Sequence, residues 1–156
     1  MQLELTIDMA KRPFAIYEQL LDGATREAMV GAAGARAAEV TVAGGEMTVR
    51  REVETAVPPQ LRNFLKQWNR VIQTERWEWD GEKEMGNGRV SIKIQGVPLS
   101  IDGTGQITAV DAHCQLAFEL LAYCGVPFVG PTLARSAAQM VRQNLELELA
   151  YLANLS

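Results

Sequence analysis

The chain has 156 residues, 47% of them hydrophobic and 22% charged, and a net charge of −4 at pH 7. That length suits one domain with a real core, and the balance is that of an ordinary globular chain. The acidic sign argues against a broad nucleic-acid or anionic-membrane surface.

Leu3, Leu5, Ile7 and Met9 alternate with Glu4, Thr6 and Asp8, the pattern of a half-buried first strand. An alternating, acid-bearing start is no signal peptide, and no apolar run approaches membrane-spanning length. A cytoplasmic protein without stable membrane insertion is expected. Pro13 opens a short helix with Phe14, Tyr17, Leu20 and Leu21 inward, ended by Asp22-Gly23. Thr25 can cap a second short helix through Val30, closed by Gly31 and Gly34. These glycines follow the helix, so they make no phosphate cradle.

Val40 and Val42 lead to Gly44-Gly45, and Met47, Val49 and Val53 continue, a hairpin signal that Pro58-Pro59 stops. Leu61, Phe64, Leu65 and Trp68 then repeat at helical spacing, predicting one or two helical turns between strands. Strands are expected at Val71–Trp79 and Arg89–Gln95, separated by a charged loop with three glycines. Gly96 turns into Val97–Ala109, Asp111 turns the chain again, and a last strand runs to about Tyr123. Basic residues at Arg50, Arg51, Arg62, Lys66, Arg70 and Arg76 are interleaved with Glu46, Glu52, Glu54, Glu75 and Glu78, which reads as a solvated mixed face.

From Pro131 to about Leu155 there is no further Gly or Pro. Ala134, Ala138, Val141, Leu145, Leu149 and Leu152 form a helical stripe, flanked by Leu133, Ala137, Met140 and Leu147. Arg135, Gln139, Arg142, Gln143 and Glu146 lie opposite. About 24 residues give a helix of roughly 36 Å, which matches the length of about 11 strand residues. The expected fold is α+β: a curved antiparallel sheet of about seven strands, in β-α-α-β6-α order, with the long helix laid across it. A single domain over 1–156 is expected, since no repeat, low-complexity tract or linker interrupts the chain.

This order resembles the helix-grip fold of the START-like superfamily, which includes lipid-transfer domains, plant hormone-binding proteins and polyketide cyclases. It looks more narrowly like a bacterial branch of unknown function. The resembling segments are VIQTERWEWD at 71–80, GVPLSIDGTGQI at 96–107 and GPTLARSAAQMV at 130–141. The resemblance implies a cavity between sheet and long helix that holds a hydrophobic or amphipathic ligand, lipid or polyketide-like. It carries over no catalytic residue.

Strand alternation sorts side chains by face. Ala112, Cys114, Leu116, Phe118, Leu120, Ala122 and Cys124 share the side expected to face the helix, so His113 falls outside. Ten residues apart on one strand, the cysteines lie beyond disulfide reach and read as buried free thiols. Arg51 shares a face with Met47, Val49 and Val53, and Gln73 and Glu75 share one with Val71, Trp77 and Trp79. If both faces point inward, Arg51, Gln73 and Glu75 are polar groups in an apolar interior. An unpaired buried charge costs several kcal/mol, so Arg51 and Glu75 should pair with each other or with a ligand. Two readings follow: an orienting contact for a ligand's carboxylate or hydroxyl, or an ion pair at the sheet rim. Trp68, Trp77 and Trp79 can stack on a ring-shaped ligand or simply fill the core, Trp79 beside Asp80-Gly81 by covering a hairpin end. The segment with Phe64 is either a lid over a cavity mouth or a connector that plugs it. Phe118 and Met140 complete the candidate lining.

No metal-ligand spacing, nucleophile elbow, P-loop or dinucleotide fingerprint occurs, so no cofactor is expected. Three functions remain in play: a carrier of an apolar or amphipathic small molecule, a cyclase or dehydratase using the same cavity, and a protein-interaction module with a filled interior.

Overall fold

A computed structural model describes residues 1–155 of the chain. Strand β1 (Gln2–Met9) is followed by two short helices, α1 (Pro13–Leu20) and α2 (Gly23–Ala32). Six strands come next: β2 (Arg36–Ala43), β3 (Glu46–Glu54), β4 (Trp68–Asp80), β5 (Met85–Ile94), β6 (Leu99–Val110) and β7 (His113–Cys124). Helix α3 (Gly130–Asn154) follows them. The strands form one antiparallel sheet in the order β1-β7-β6-β5-β4-β3-β2, so the first strand returns to pair with the last. This is the expected helix-grip architecture, with a curved sheet and a long C-terminal helix.

The meander follows from local turn chemistry. Gly44 and Gly45 have φ of +58° and +80°, the pair of left-handed positions that a two-residue hairpin needs to match strand twist. Through β3, β4 and β5 the odd and even positions divide between faces. Met47, Val49, Arg51 and Val53 are buried on β3, and Val71, Gln73, Glu75 and Trp77 on β4. Helix α3 lays Leu133, Ala134, Ala137, Ala138, Met140, Val141, Leu145, Leu149 and Leu152 into the core, and the α2 and α3 helices touch. Burying that many apolar side chains at once is what holds a helix of this length against the sheet.

Several local expectations need correction. Helix α1 buries Ile16 and Leu20, and Phe14 is left 46% exposed, because the helix turns its 13–16–20 row inward. The cap of α2 is Asp22, whose carboxylate accepts from the Thr25 backbone N–H at 3.0 Å and from its hydroxyl at 2.6 Å. Thr25 sits inside the helix, which runs past Gly31 to Ala32. Between β3 and β4 the helical spacing yields only a 3-10 turn at Pro59–Leu61, with Phe64 and Leu65 N–H groups both bonding to the Leu61 carbonyl at 2.9 Å. Leu61 and Leu65 are buried in the main core, so this segment plugs the end of the sheet, and Trp68 already belongs to β4. Leu147 is exposed, outside the α3 stripe. Cys114 and Cys124 are free, as expected, but only Cys114 is fully buried.

Candidate functional site: a buried charged network

The stripe that α3 turns inward contains an acid. Glu148 lies three residues after Leu145 and four before Leu152, so it is carried into the core with them. Arg26 occupies the same kind of position on α2, three and four residues before Met29 and Val30, and is buried with them. Opposite them, β3 and β4 present Arg51, Gln73 and Glu75. All five side chains are at most 5% exposed.

Their bonding is unequal. Arg26 grips Glu75 with both terminal nitrogens, Nη1 donating to Oε1 at 2.9 Å and Nη2 to Oε2 at 2.5 Å. The Trp77 indole N–H donates to Glu75 Oε1 at 2.8 Å, and the Gln73 amide donates to Oε2. Burial pushes the Glu75 carboxyl up, but the Arg26 charge and the bonds from Arg26, Trp77 and Gln73 outweigh it. They hold the group at about 2, so Glu75 is ionised throughout the neutral range.

Because the Gln73 amide nitrogen is committed to Glu75, its oxygen faces the other way and accepts from Arg51 Nη2 at 2.8 Å. Arg51 Nη1 is buried with no hydrogen-bond partner among the described residues, as is Arg26 Nε. Glu148 approaches Arg51 only to 3.9 Å, close enough for attraction and too far for a hydrogen bond. Burial pushes the Glu148 carboxyl up; Arg51 and Arg26 pull against that and Glu75 adds to it, and the net direction is upward.

Of the two expected partners for Arg51 and Glu75, each other or a ligand, the first is corrected. Glu75 belongs to Arg26, and Arg51 is left with Gln73 and a loose Glu148. The pair is also not at a wet rim, since every member is buried. Sequence reasoning missed Arg26 and Glu148, although each shows the same signal, a charge inside an apolar helical stripe.

The remaining candidates divide into three places. Trp77 lies on the network side of β4, its ring edge-on to Phe118 with centroids 6.2 Å apart. Gly88 and Gly105 make room for it: a Cβ on either would stand 2.6 or 2.7 Å from the indole. Met140 is buried on α3, where its sulfur accepts from the Thr55 hydroxyl at 2.9 Å. It lines a cleft of about 100 Å³ between the end of β3 and α3, together with Thr55, Ser136 and Gln143. Phe64 and Trp68 are not brought to the network. They line a surface groove of about 570 Å³ with Lys66, Asn69 and Arg70, and the Arg36 guanidinium lies 3.9 Å above the Trp68 ring. His113 is exposed, as expected, in a separate cleft of about 540 Å³ walled by Phe14 and Trp79.

A family model described as "Protein of unknown function (DUF2505)" matches residues 4–155. The chain belongs to this family. Among solved structures, this DUF2505 chain is similar in fold to protein TTHA0849 from Thermus thermophilus, with TM-score 0.64 and 17% identity over 98% of this chain and 94% of that one. It is similar to Ara h 8.0201, with TM-score 0.58 and 10% identity over 99% of each chain. A third likeness is to the STAR-related lipid transfer protein from Xanthomonas axonopodis, with TM-score 0.57 and 11% identity over 94% of this chain and 85% of that fragment. A comparison with the curated proteins found no match. The START-like resemblance read from the sequence is borne out at the level of fold. Among the described residues no group of His, Cys, Asp or Glu is arranged to hold a metal, and no helix is long and apolar enough to cross a membrane.

Proposed function

We propose that this DUF2505 protein binds an amphipathic small molecule between the sheet and α3, with the ligand's polar group against Arg51. Its apolar body would run along Trp77, Phe118 and Met140 toward the Thr55–Met140 cleft. One observation carries this reading: a guanidinium 5% exposed, with an unpartnered Nη1 and a counterion held at 3.9 Å. Leaving a buried donor unmade costs about 1–3 kcal/mol, more when it is charged, and at Arg51, unlike at Arg26, no carboxylate is in hydrogen-bond contact to offset it. The fold likeness to a lipid transfer protein supports the same reading. Arg51, Gln73 and Glu75 then serve as anchor, spacer and fixed counter-charge, and no reaction is needed to account for them.

The competing reading, a domain whose interior is filled by its own side chains, draws on the size of that cleft. At about 100 Å³ it is below the roughly 300 Å³ of an ordinary small-molecule site, and the buried Trp77 ring packs directly on Gly88 and Gly105. Under the carrier reading, the plug at 56–65 or the β3-facing side of α3 shifts to admit the ligand. Native mass spectrometry of protein purified from its own host decides between them. A retained small molecule that is lost with Arg51→Leu supports the carrier, and bare protein that also fails to bind octanoate and octanol supports the filled domain.

A further inference from the structure

The network contains two guanidinium–carboxylate pairs with different degrees of closure. Arg26 and Glu75 are joined by two short bonds, and Glu75 accepts two more from Gln73 and Trp77. Neither partner of that pair has a reason to change state. Glu148 is the opposite case. It is 2% exposed, accepts no hydrogen bond among the described residues, and meets Arg51 only at 3.9 Å.

The charged groups that bear on Glu148 come from three elements: Arg51 on β3, Arg26 on α2 and Glu75 on β4. The buried rows of β1, β6 and β7 carry one titratable side chain, Cys114, whose charged neighbours are Lys11 and Asp8. With Glu148 ionised, two arginines balance two glutamates. A ligand carboxylate placed on Arg51 Nη1 would add one negative charge to a buried site, where charges are screened far less than in bulk water. Two carboxylates then compete for one guanidinium, and one of them must be neutralised. Arg51 keeps its proton, as guanidinium groups do in proteins, and Glu75 is held ionised by four bonds. Of the two competing carboxylates, the ligand's would bond directly to Arg51 Nη1, whereas Glu148 stands 3.9 Å from Arg51, so Glu148 is the one to take up the difference.

We propose that Glu148 is a displaceable counterion, so that the site takes a monocarboxylate amphiphile together with one proton, the ligand accepting from Arg51 Nη1 while Glu148 becomes the neutral acid. This rests on the carrier reading and narrows its ligand class. The balance is simple: a solvent proton bonds to one Glu148 oxygen, the ligand anion enters, no covalent bond breaks, and the network stays neutral. A neutral alcohol of equal length would bind without a proton. A dianion would bring one charge too many.

The test is calorimetric titration of octanoate and octanol into the full chain between pH 6 and 8, in two buffers of different ionisation enthalpy. Free octanoate is fully ionised there, a simple carboxyl titrating near 4–5, so proton uptake counts protons entering the complex, and the Glu148 carboxyl NMR signal shows whether the side chain or the ligand holds them. For wild type we expect octanoate to bind with uptake approaching one proton and to weaken about tenfold per pH unit once apo Glu148 is ionised. Octanol should bind with neither proton uptake nor pH dependence. Glu148→Gln, which copies the neutral acid, should bind octanoate without uptake, independently of pH and at least as tightly as wild type at pH 8. A side-chain carboxyl NMR titration should show the Glu148 signal moving to higher pH when octanoate is added.

Octanoate binding to wild type without proton uptake overturns the proposal and leaves the carrier reading standing. So does binding of octanol alone. Loss of octanoate binding in folded Glu148→Gln overturns it as well, since the carboxylate would then be a required partner. Failure of both probes overturns the carrier reading and this inference with it. The proton count on wild type needs no variant, so an unstable Glu148→Gln does not blunt the test.

Discussion

The two buried arginines are about as deeply enclosed as each other, yet their surroundings treat them differently. Arg26, delivered by α2, meets a carboxylate with both terminal nitrogens, and that carboxylate is further held by Trp77 and Gln73. Arg51, delivered by β3, meets one neutral amide and a distant acid; each arginine keeps one nitrogen bare among the described residues, Nε in Arg26 and the terminal Nη1 in Arg51. Burial alone therefore does not distinguish a structural charge from a functional one. What differs is the direct contact with a carboxylate, which Arg26 has with two nitrogens and Arg51 lacks, and the proposed function rests on that difference.

The largest expected effect lies at the Arg26–Glu75 pair. Arg26→Leu leaves Glu75 buried without its cation and should lower stability by about 3–5 kcal/mol in urea unfolding. A loss below about 1 kcal/mol would mean that Glu75 has another partner in solution. The α3 turn that brings Glu148 inward is tested by Leu145→Ala, expected to cost about 2–5 kcal/mol if Leu145 packs as described. A near-neutral result would place Glu148 elsewhere.

The Arg51 side should behave in the reverse manner. Arg51→Leu is expected to weaken octanoate by about 1.5–3 kcal/mol, the range for a hydrogen bond to a charged group, while octanol affinity stays nearly constant. Equal losses for both probes would show a packing defect instead of an anchor.

The acid-base behaviour sharpens the contrast further. Glu75 titrates near 2 when folded, below its ordinary value, so its contribution is present above about pH 4.5 and is lost as pH falls toward 2. Glu148 is shifted upward, so its contribution is full below about pH 4.5 and is lost as pH rises through its folded value. Wild type should therefore gain stability relative to Glu75→Gln, and lose it relative to Glu148→Gln, as pH increases. Parallel pH profiles for wild type and Glu148→Gln would show that this acid is not strained. The smallest effect concerns the thiols: a thiol reagent in native buffer should reach half-buried Cys124 well before buried Cys114.

Much of this was legible in the chain. Period-two alternation in β1, β3, β4 and β7 and the long stripe of α3 determined the element order and which side chains turn inward, because a one-residue slip would have exposed a whole apolar row. That logic also singled out Arg51, Gln73, Glu75 and Trp77 as inward neighbours. Helix periodicity even contained Arg26 and Glu148, as charges at stripe positions, but a stripe says only that a residue is buried and not what it meets. The partners were decided by tertiary structure. The β3–β4 register sets Arg51 opposite Val71 and Met47 opposite Glu75, so Arg51 and Glu75 stand four residues apart along the ladder. The contact between α2 and α3 then brings Arg26 to one of them and Glu148 toward the other. Sequence periodicity is a property of one element, whereas an ion pair needs the distance between two. That distance is set by how the helices seat on the sheet, a result of packing the whole core at once.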